Sequence, residues 1–208
     1  MQKKQSPLRK SQRIYVPFKR LIGIVGAFIG IPFCAVLFWW WIIPVNAIIT
    51  KGHPFFTQLR VGKNQKEFWI IKFRSMKLEA AEIAPSDMTP EVQASMDTKF
   101  GKFLRKTSLD ETPQLLNIFI GQMAFIGPRP GAAHNEEELI KLRKMYTPSA
   151  FDVKPGLSGY AQTRMNREHD PEGKAYYDSI YVQKMSLWFD IKVFVYTILK
   201  IFGAVKGR

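Results

Sequence analysis

Residues Leu21–Thr50 read LIGIVGAFIGIPFCAVLFWWWIIPVNAIIT, thirty residues without a charge. About 20 apolar residues span a bilayer, so the stretch is long enough to enter one. It is too long for the apolar part of a signal peptide, and no small-residue cleavage site follows it. Both flanks are basic: Lys19 and Arg20 precede it, and Lys51, Arg60, Lys63 and Lys66 follow. Cytoplasmic flanks collect Lys and Arg, so a spanning helix gets no clear orientation, whereas a segment that enters and returns on one face does. Pro32 and Pro44 are the candidate break points, since each lacks a backbone donor and crowds the preceding turn. Trp39, Trp40 and Trp41 suit the membrane interface, where indole rings collect. The competing reading is a plain transmembrane helix.

The 208 residues allow one domain, or one domain with a membrane element. Net charge is +14, from 31 Lys and Arg against 17 Asp and Glu. Such an excess favours an anionic partner. The surplus sits on the N-terminal third, because no acidic residue precedes Glu67. Residues 1–20 form a basic arm, expected to be disordered or surface-lying and suited to anionic cytoplasmic lipid. No nucleic-acid motif accompanies the charge, which argues against that partner. The one cysteine, Cys34, excludes a disulfide framework or a thiolate metal site within one chain.

Downstream of residue 50 the pattern changes. Phe55–Arg60 and Phe68–Phe73 are aromatic and β-branched runs around the turn VGKNQK, which reads as a β-hairpin. Lys77–Lys99 is polar, with a short helix and a loop around Pro85 and Pro90. A charged helix is expected over 135–145, ended by Pro148, and another over Lys174–Lys184. Lys154-Pro155-Gly156-Leu157-Ser158-Gly159 is a Pro-Gly turn of the kind that brings backbone close to a ligand. In Ser186–Arg208, Leu187, Trp188, Ile191, Phe194, Val195, Ile198, Leu199 and Phe202 share one broad helical face, interrupted by Asp190, Lys192 and Lys200. That pattern fits a helix lying in the membrane interface, or an ordinary core-facing helix.

Chemistry concentrates in Thr107–Pro130, TSLDETPQLLNIFIGQMAFIGPRP. Asp110 and Glu111 stand side by side at a helix start. Ser108 and Glu111 match the capping-box spacing, and Asp110 is an alternative N-cap. Free N–H groups there stabilise negative charge. A structural cap is one reading. The other is a phosphate site, because Arg105, Lys106 and Arg129 are near in sequence and an ionised Asp is a nucleophile toward phosphorus. A carboxylate-plus-phosphate site suits Mg²⁺. His53, His134 and His169 are scattered and read as surface or loop residues.

Five motifs occur in order: Phe56-Thr57-Gln58, Lys72-Phe73-Arg74-Ser75-Met76, Ser108-Leu109-Asp110-Glu111-x-Pro-Gln-Leu-x-Asn, Gly127-Pro128-Arg129-Pro130 and the Lys154–Gly159 turn. With a membrane segment in front, the chain resembles, over residues 18–202, the bacterial sugar transferases of the small monotopic phosphoglycosyl transferase type. The resemblance implies transfer of a sugar-1-phosphate from a nucleotide diphosphate sugar, usually a UDP-sugar, to membrane polyprenyl phosphate, with release of UMP. It implies Asp110 as nucleophile, Glu111 as the Mg²⁺ ligand, and Arg105, Arg129 and Lys72 as phosphate-binding residues. Asp178, Gln162, Arg164 and Arg167 are implied as supporting or nucleotide-sugar-binding. Where relatives carry a Ser-Pro break in the membrane helix this chain has Leu37-Phe38, and where many carry Asn-Gly-Arg it has Thr163–Arg167.

The fold expected is α+β: a membrane-embedded, re-entrant helix over 21–50, then a β-hairpin, then a mostly helical cytoplasmic catalytic domain over 51–208 with interfacial amphipathic helices. The expected partners are a nucleotide sugar, polyprenyl phosphate and anionic lipid at the cytoplasmic face of the inner membrane, with a homodimer left open. The competing function is a non-catalytic basic membrane adaptor.

Overall fold

A helical run opens at Lys10 and continues to Thr50 without a non-helical residue. The computed structural model that shows this describes residues 8–81, 90–133, 136–165 and 170–201. Helix α1 is Lys10–Cys34, Ala35–Trp39 is a π segment, and α2 is Trp40–Thr50. Neither proline opens a loop. Pro44 removes one donor, and one turn earlier the Trp40 N–H reaches back to the Ala35 carbonyl in the wider π spacing. This is the one helix among the described residues long and apolar enough to cross a membrane. Most of its apolar stretch is uncovered by protein: Val36 is 71% exposed, Trp40 68% and Ile48 76%. A soluble core helix would bury those side chains.

The tryptophans divide their roles. Trp40 faces outward, while Trp39 and Trp41 pack on a protein core. The basic arm is also ordered earlier than expected. Leu8 is buried, Gln12 Nε2 donates to the Val182 carbonyl at 2.7 Å, and helix begins at Lys10.

The chain forms two compact units, and α1 and the hairpin run through both. The first comprises Met1–Gly26, Leu59–Phe68 and Ile118–Arg208. The second comprises Ala27–Gln58 and Trp69–Asn117. The hairpin is present as β1 (Phe55–Val61) and β2 (Glu67–Phe73). Asn64 and Gln65 take the left-handed conformation in its turn.

In the second unit, α3 (Pro90–Met96) and α4 (Lys99–Lys106) precede a 3₁₀ turn, Leu109–Gln114, and α5 (Leu115–Ile120). Thr98 caps α4, its Oγ1 accepting the Gly101 N–H at 2.8 Å. Ile42, Phe73 and Leu104 form the buried core, with Trp39, Trp41, Phe55 and Leu109 packed around it. Asn46 ties α2 to the strands by donating to the Pro54 and Arg74 carbonyls at 2.8 and 2.9 Å.

In the first unit, β4 (Gly131–Ala132) pairs antiparallel with β1, setting Arg60 opposite Ala132. Strands β3 (Ala124–Ile126) and β5 (Gly156–Ser158) pair in parallel, Ala124 opposite Gly156. Helices α6 (Glu137–Met145), α7 (Tyr160–Arg164), α8 (Pro171–Lys184) and α9 (Leu187–Ile201) complete it. Helix α8 starts at Pro171, earlier than the 174 expected, because Asp170 caps it through the Gly173 N–H at 2.8 Å. Asp190, which reads in the sequence as an interruption of α9, is a buried anchor. It accepts from Tyr15 at 2.8 Å and Tyr181 at 2.6 Å, and pairs with Lys19. The apolar face of α9 stays uncovered, with Trp188 77% exposed and Phe194 54%, so α9 is not an ordinary core-facing helix.

Candidate functional site

Asp110 and Glu111 lie in the 3₁₀ turn, not at the start of an α-helix. Pro113 is the reason. It has no N–H for the Leu109 carbonyl, and the Thr112 hydroxyl donates to that carbonyl instead, at 2.8 Å. The expected capping box is not formed: Ser108 is left-handed and its side chain makes no cap bond. The turn is fastened from α2 by Trp39 Nε1, which donates to Thr112 Oγ1 at 3.0 Å. Asp110 is buried, with 7% of its surface exposed.

Lys72, at the end of β2, puts Nζ 2.8 Å from Glu111 Oε1, and both side chains are largely covered. Lys72, Asp110 and Glu111 are therefore brought together. Arg105 belongs to the same unit and pairs with Asp97. The Lys72–Met76 motif also seats α4: Gly101 lies so close to the Ser75 carbonyl that any Cβ would overlap it. Asn117 closes the arrangement. Its Nδ2 donates to the Trp69 carbonyl at 2.7 Å and its Oδ1 accepts the Ile71 N–H at 3.3 Å, so β2 and α5 are cross-linked. The sequence marks Asn117 as part of a motif without showing this role. The signal is a polar residue inside an apolar helix, which when buried must find partners.

Among the described residues, no group of three His, Cys, Asp or Glu side chains could hold a metal alone. Two adjacent carboxylates with a substrate diphosphate and water are, however, a donor set that Mg²⁺ accepts. The residues fit Mg²⁺ held jointly with substrate, and do not fit an all-protein cage.

The other expected site residues lie in the first unit. Arg129 sits in the Gly127–Pro130 corner, which two arginines hold by its carbonyls. Arg143 Nη2 donates to Arg129 at 2.8 Å, and Arg60 Nη1 donates to Pro130 at 2.9 Å. Asp178 is wholly buried; its Oδ2 accepts from Arg143 Nε at 3.0 Å, while Oδ1 has no hydrogen-bond partner among the described residues. Burial pushes the Asp178 carboxyl above the usual range, against the pull of Arg143. The Gln162 carbonyl accepts from Lys200 at 2.7 Å, while its Oε1 is buried without a partner among the described residues. The Arg164 guanidinium lies 5.3 Å from the Tyr160 ring and 5.0 Å from the Tyr196 ring. Arg167 is outside the described residues, as are Asn166, His134 and His169.

The glycines of the Lys154–Gly159 turn serve backbone packing. The Gly127 N–H donates to the Ser158 carbonyl and the Gly156 N–H to the Pro128 carbonyl, both at 2.9 Å. A Cβ on Gly156 would overlap the Gly127 backbone. Sequence reading does not find Arg60 or Arg143, because their partners Pro130 and Asp178 are distant in the chain.

Known proteins resemble this chain in sequence. The chain is 37% identical over 159 residues to the UDP-glucose:undecaprenyl-phosphate glucose-1-phosphate transferase of Xanthomonas campestris pv. campestris, covering 74% of the chain and 32% of that protein. It is 36% identical over 199 residues to the Klebsiella pneumoniae protein of the same name, covering 90% and 40%. It is 33% identical over 201 residues to the UDP-N-acetylgalactosamine-undecaprenyl-phosphate N-acetylgalactosaminephosphotransferase of Aeromonas hydrophila, covering 92% and 46%. The chain thus spans less than half the length of each of these relatives. Residues 14–204 match the bacterial sugar transferase family, and the chain belongs to that family.

Proposed function

We propose that this chain transfers a sugar-1-phosphate from a UDP-sugar to a membrane polyprenyl phosphate, releasing UMP through a covalent aspartyl intermediate. The observation that carries the reading is the buried Asp110 beside a Glu111 paired to Lys72, in a chain of this family. An Asp110 oxygen attacks the β-phosphorus of the donor, and the bond from that phosphorus to the bridging oxygen breaks. UMP leaves with the bridging oxygen. An oxygen of polyprenyl phosphate then attacks the same phosphorus, breaks the acyl-phosphate bond and returns Asp110 as a carboxylate. One site can serve both substrates in turn this way.

Glu111 would hold Mg²⁺ together with the donor diphosphate, where the ion offsets charge building on the phosphate oxygens. Lys72 orients Glu111 and adds a fixed positive charge. Arg105 is assigned to donor phosphate, a role that requires it to leave Asp97 or to use its remaining N–H groups. The family resemblance extends the donor-binding set to Arg129, Gln162, Arg164 and Arg167. Phosphoryl transfer is mainly positioning and charge stabilisation, and such groups supply both.

The membrane placement belongs to the same reading. The uncharged stretch 21–50 has about 45 Å of helix axis against about 30 Å of hydrocarbon, and both its flanks are basic. Entry and return at the cytoplasmic face, with α9 lying on the surface, satisfies both facts.

The test is Asp110→Asn. Wild-type protein given a radiolabelled UDP-sugar without acceptor should carry label through denaturation, and Asp110→Asn should carry none and release no UMP. Turnover at the wild-type rate in Asp110→Asn would sink the mechanism. If the chain were only a basic adaptor, the substitution would change unfolding and nothing else.

A further inference from the structure

The first unit contains a cavity of about 280 Å³ that includes neither Asp110 nor Glu111. Val16, Met123, Val153 and Met185 make much of its wall apolar. Its polar lining is cationic only: Lys19, Arg20, Lys63 and Lys154. Lys19 is matched by Asp190. The other three have no carboxylate partner among the described residues. Arg20 is fixed by donating to the Ile118 carbonyl and, at 2.7 Å, to the Phe119 carbonyl, which leave its charge intact.

These cations are held together against their repulsion. Gly121, at φ +95°, marks where two of them meet. A Cβ there would lie 3.0 Å from Arg20 Nη2 and 3.2 Å from Lys154 Nζ. Burial, with Arg20 and Lys63 beside it, pulls the Lys154 ammonium below the ordinary lysine value. An anion in the cavity would relieve both costs.

The cavity also has a defined level. Lys19 and Arg20 are the last charges of α1 before the apolar stretch begins at Leu21, and Gly23 also lines the cavity. With that stretch in a bilayer, the cations stand at headgroup depth and the apolar wall faces the start of the hydrocarbon. We infer that this cavity binds the phosphate-monoester headgroup of a membrane lipid, with Arg20, Lys63 and Lys154 on the phosphate and the lipid's apolar stem against Val16 and Met185. A monoester carries close to two negative charges at neutral pH and three acceptor oxygens, which suits three unmatched cations better than a diester does. The inference rests on the membrane placement proposed above, and not on the transfer chemistry.

The test uses the full chain in detergent with phosphatidic acid as the probe and no nucleotide sugar, so its failure leaves the transferase reading untouched. Native mass spectrometry should show one phosphatidic acid retained per chain, and no phosphatidylcholine retained at the same concentration. Lys63→Gln with Lys154→Gln should weaken retention at least tenfold. Lys141→Gln with Lys144→Gln, which removes the same charge from exposed positions on α6, should not. In the wild-type protein, phosphatidic acid should also protect Lys63 and Lys154 from an amine-reactive label, a measurement that needs no variant to fold. Equal loss in both double variants, no protection, or displacement of the lipid by equimolar inorganic phosphate would overturn the assignment.

Discussion

Lys72 Nζ lies 2.8 Å from Glu111 Oε1, across a separation of 39 residues. One of two adjacent carboxylates is thereby oriented by a cation from a strand, while its neighbour Asp110 stays buried in the turn. The pair makes Lys72 a positioning residue for Glu111 in the proposed reaction.

Lys72→Met should therefore lower the rate of UMP release by about a hundredfold, the order lost with one oriented charge-stabilising donor. The Mg²⁺ concentration for half-maximal rate should shift as well, because Glu111 loses the group that fixes it. A merely structural lysine would move the thermal midpoint and leave the Mg²⁺ dependence alone. Lys72→Arg should not restore the rate, since a planar fork cannot reproduce a single ammonium contact.

The buried Arg143–Asp178 pair makes a second prediction. Arg143→Met leaves Asp178 wholly buried with no cation on Oδ2, and also removes the donor to the Arg129 carbonyl. Breaking such a pair from one side costs about 3–5 kcal/mol. Arg143→Met with Asp178→Leu should recover much of that, because no charge is then stranded. Urea midpoints of the wild type and the two variants check it, and equal destabilisation in the single and double variants would contradict the account.

How much of this is readable in the sequence depends on range. The hairpin is legible because Gly and Asn punctuate two β-rich runs. The helix over 21–50 is legible from its missing charges, though not its start at Lys10 inside the basic arm, and the Asp110-Glu111 neighbourhood from its motif. The 3₁₀ form of the turn is legible in hindsight from Pro113, whose missing donor forbids the α-helical bond. What stays hidden is pairing between distant positions: Lys19 with Asp190, Arg143 with Asp178, and Asn117 with the Trp69 and Ile71 backbone. Each is a polar residue on an otherwise apolar or amphipathic element, and only the fold shows which are matched. Asp178 illustrates the limit: the family resemblance marks the position, and only the fold shows that it is buried against Arg143.

Glu136 sets an acid dependence. Burial alone would raise its pKa, but the Ala132 N–H at 2.7 Å and the cations Arg60, Lys174 and Arg143 outweigh that and hold the carboxyl below its usual value. A depressed carboxylate stabilises the fold above its unfolded pKa of about 4.3 and loses that contribution as pH falls through the lower folded value. Wild-type stability should therefore fall more steeply than that of Glu136→Gln as pH drops below about 4.5. Parallel curves over that range would mean Glu136 carries no net favourable interaction.

Cys34 allows the membrane placement to be tested directly, because it is the one cysteine in the chain. In a Cys34→Ser background, a new cysteine at Lys10 or Lys51 marks either end of the helical run. If the segment enters and returns on the cytoplasmic face, both should resist a membrane-impermeant maleimide in intact cells and both should react after lysis. A helix that crosses would expose one end to the outside, and one of the two would label without lysis. The π segment at Ala35–Trp39 is the natural place for the reversal of depth, since its wider spacing weakens the helix where Val36 and Leu37 are exposed. Deleting one residue from Ala35–Trp39 to restore α-helical spacing should then favour crossing, which the same two cysteines would report as outside labelling of a single end.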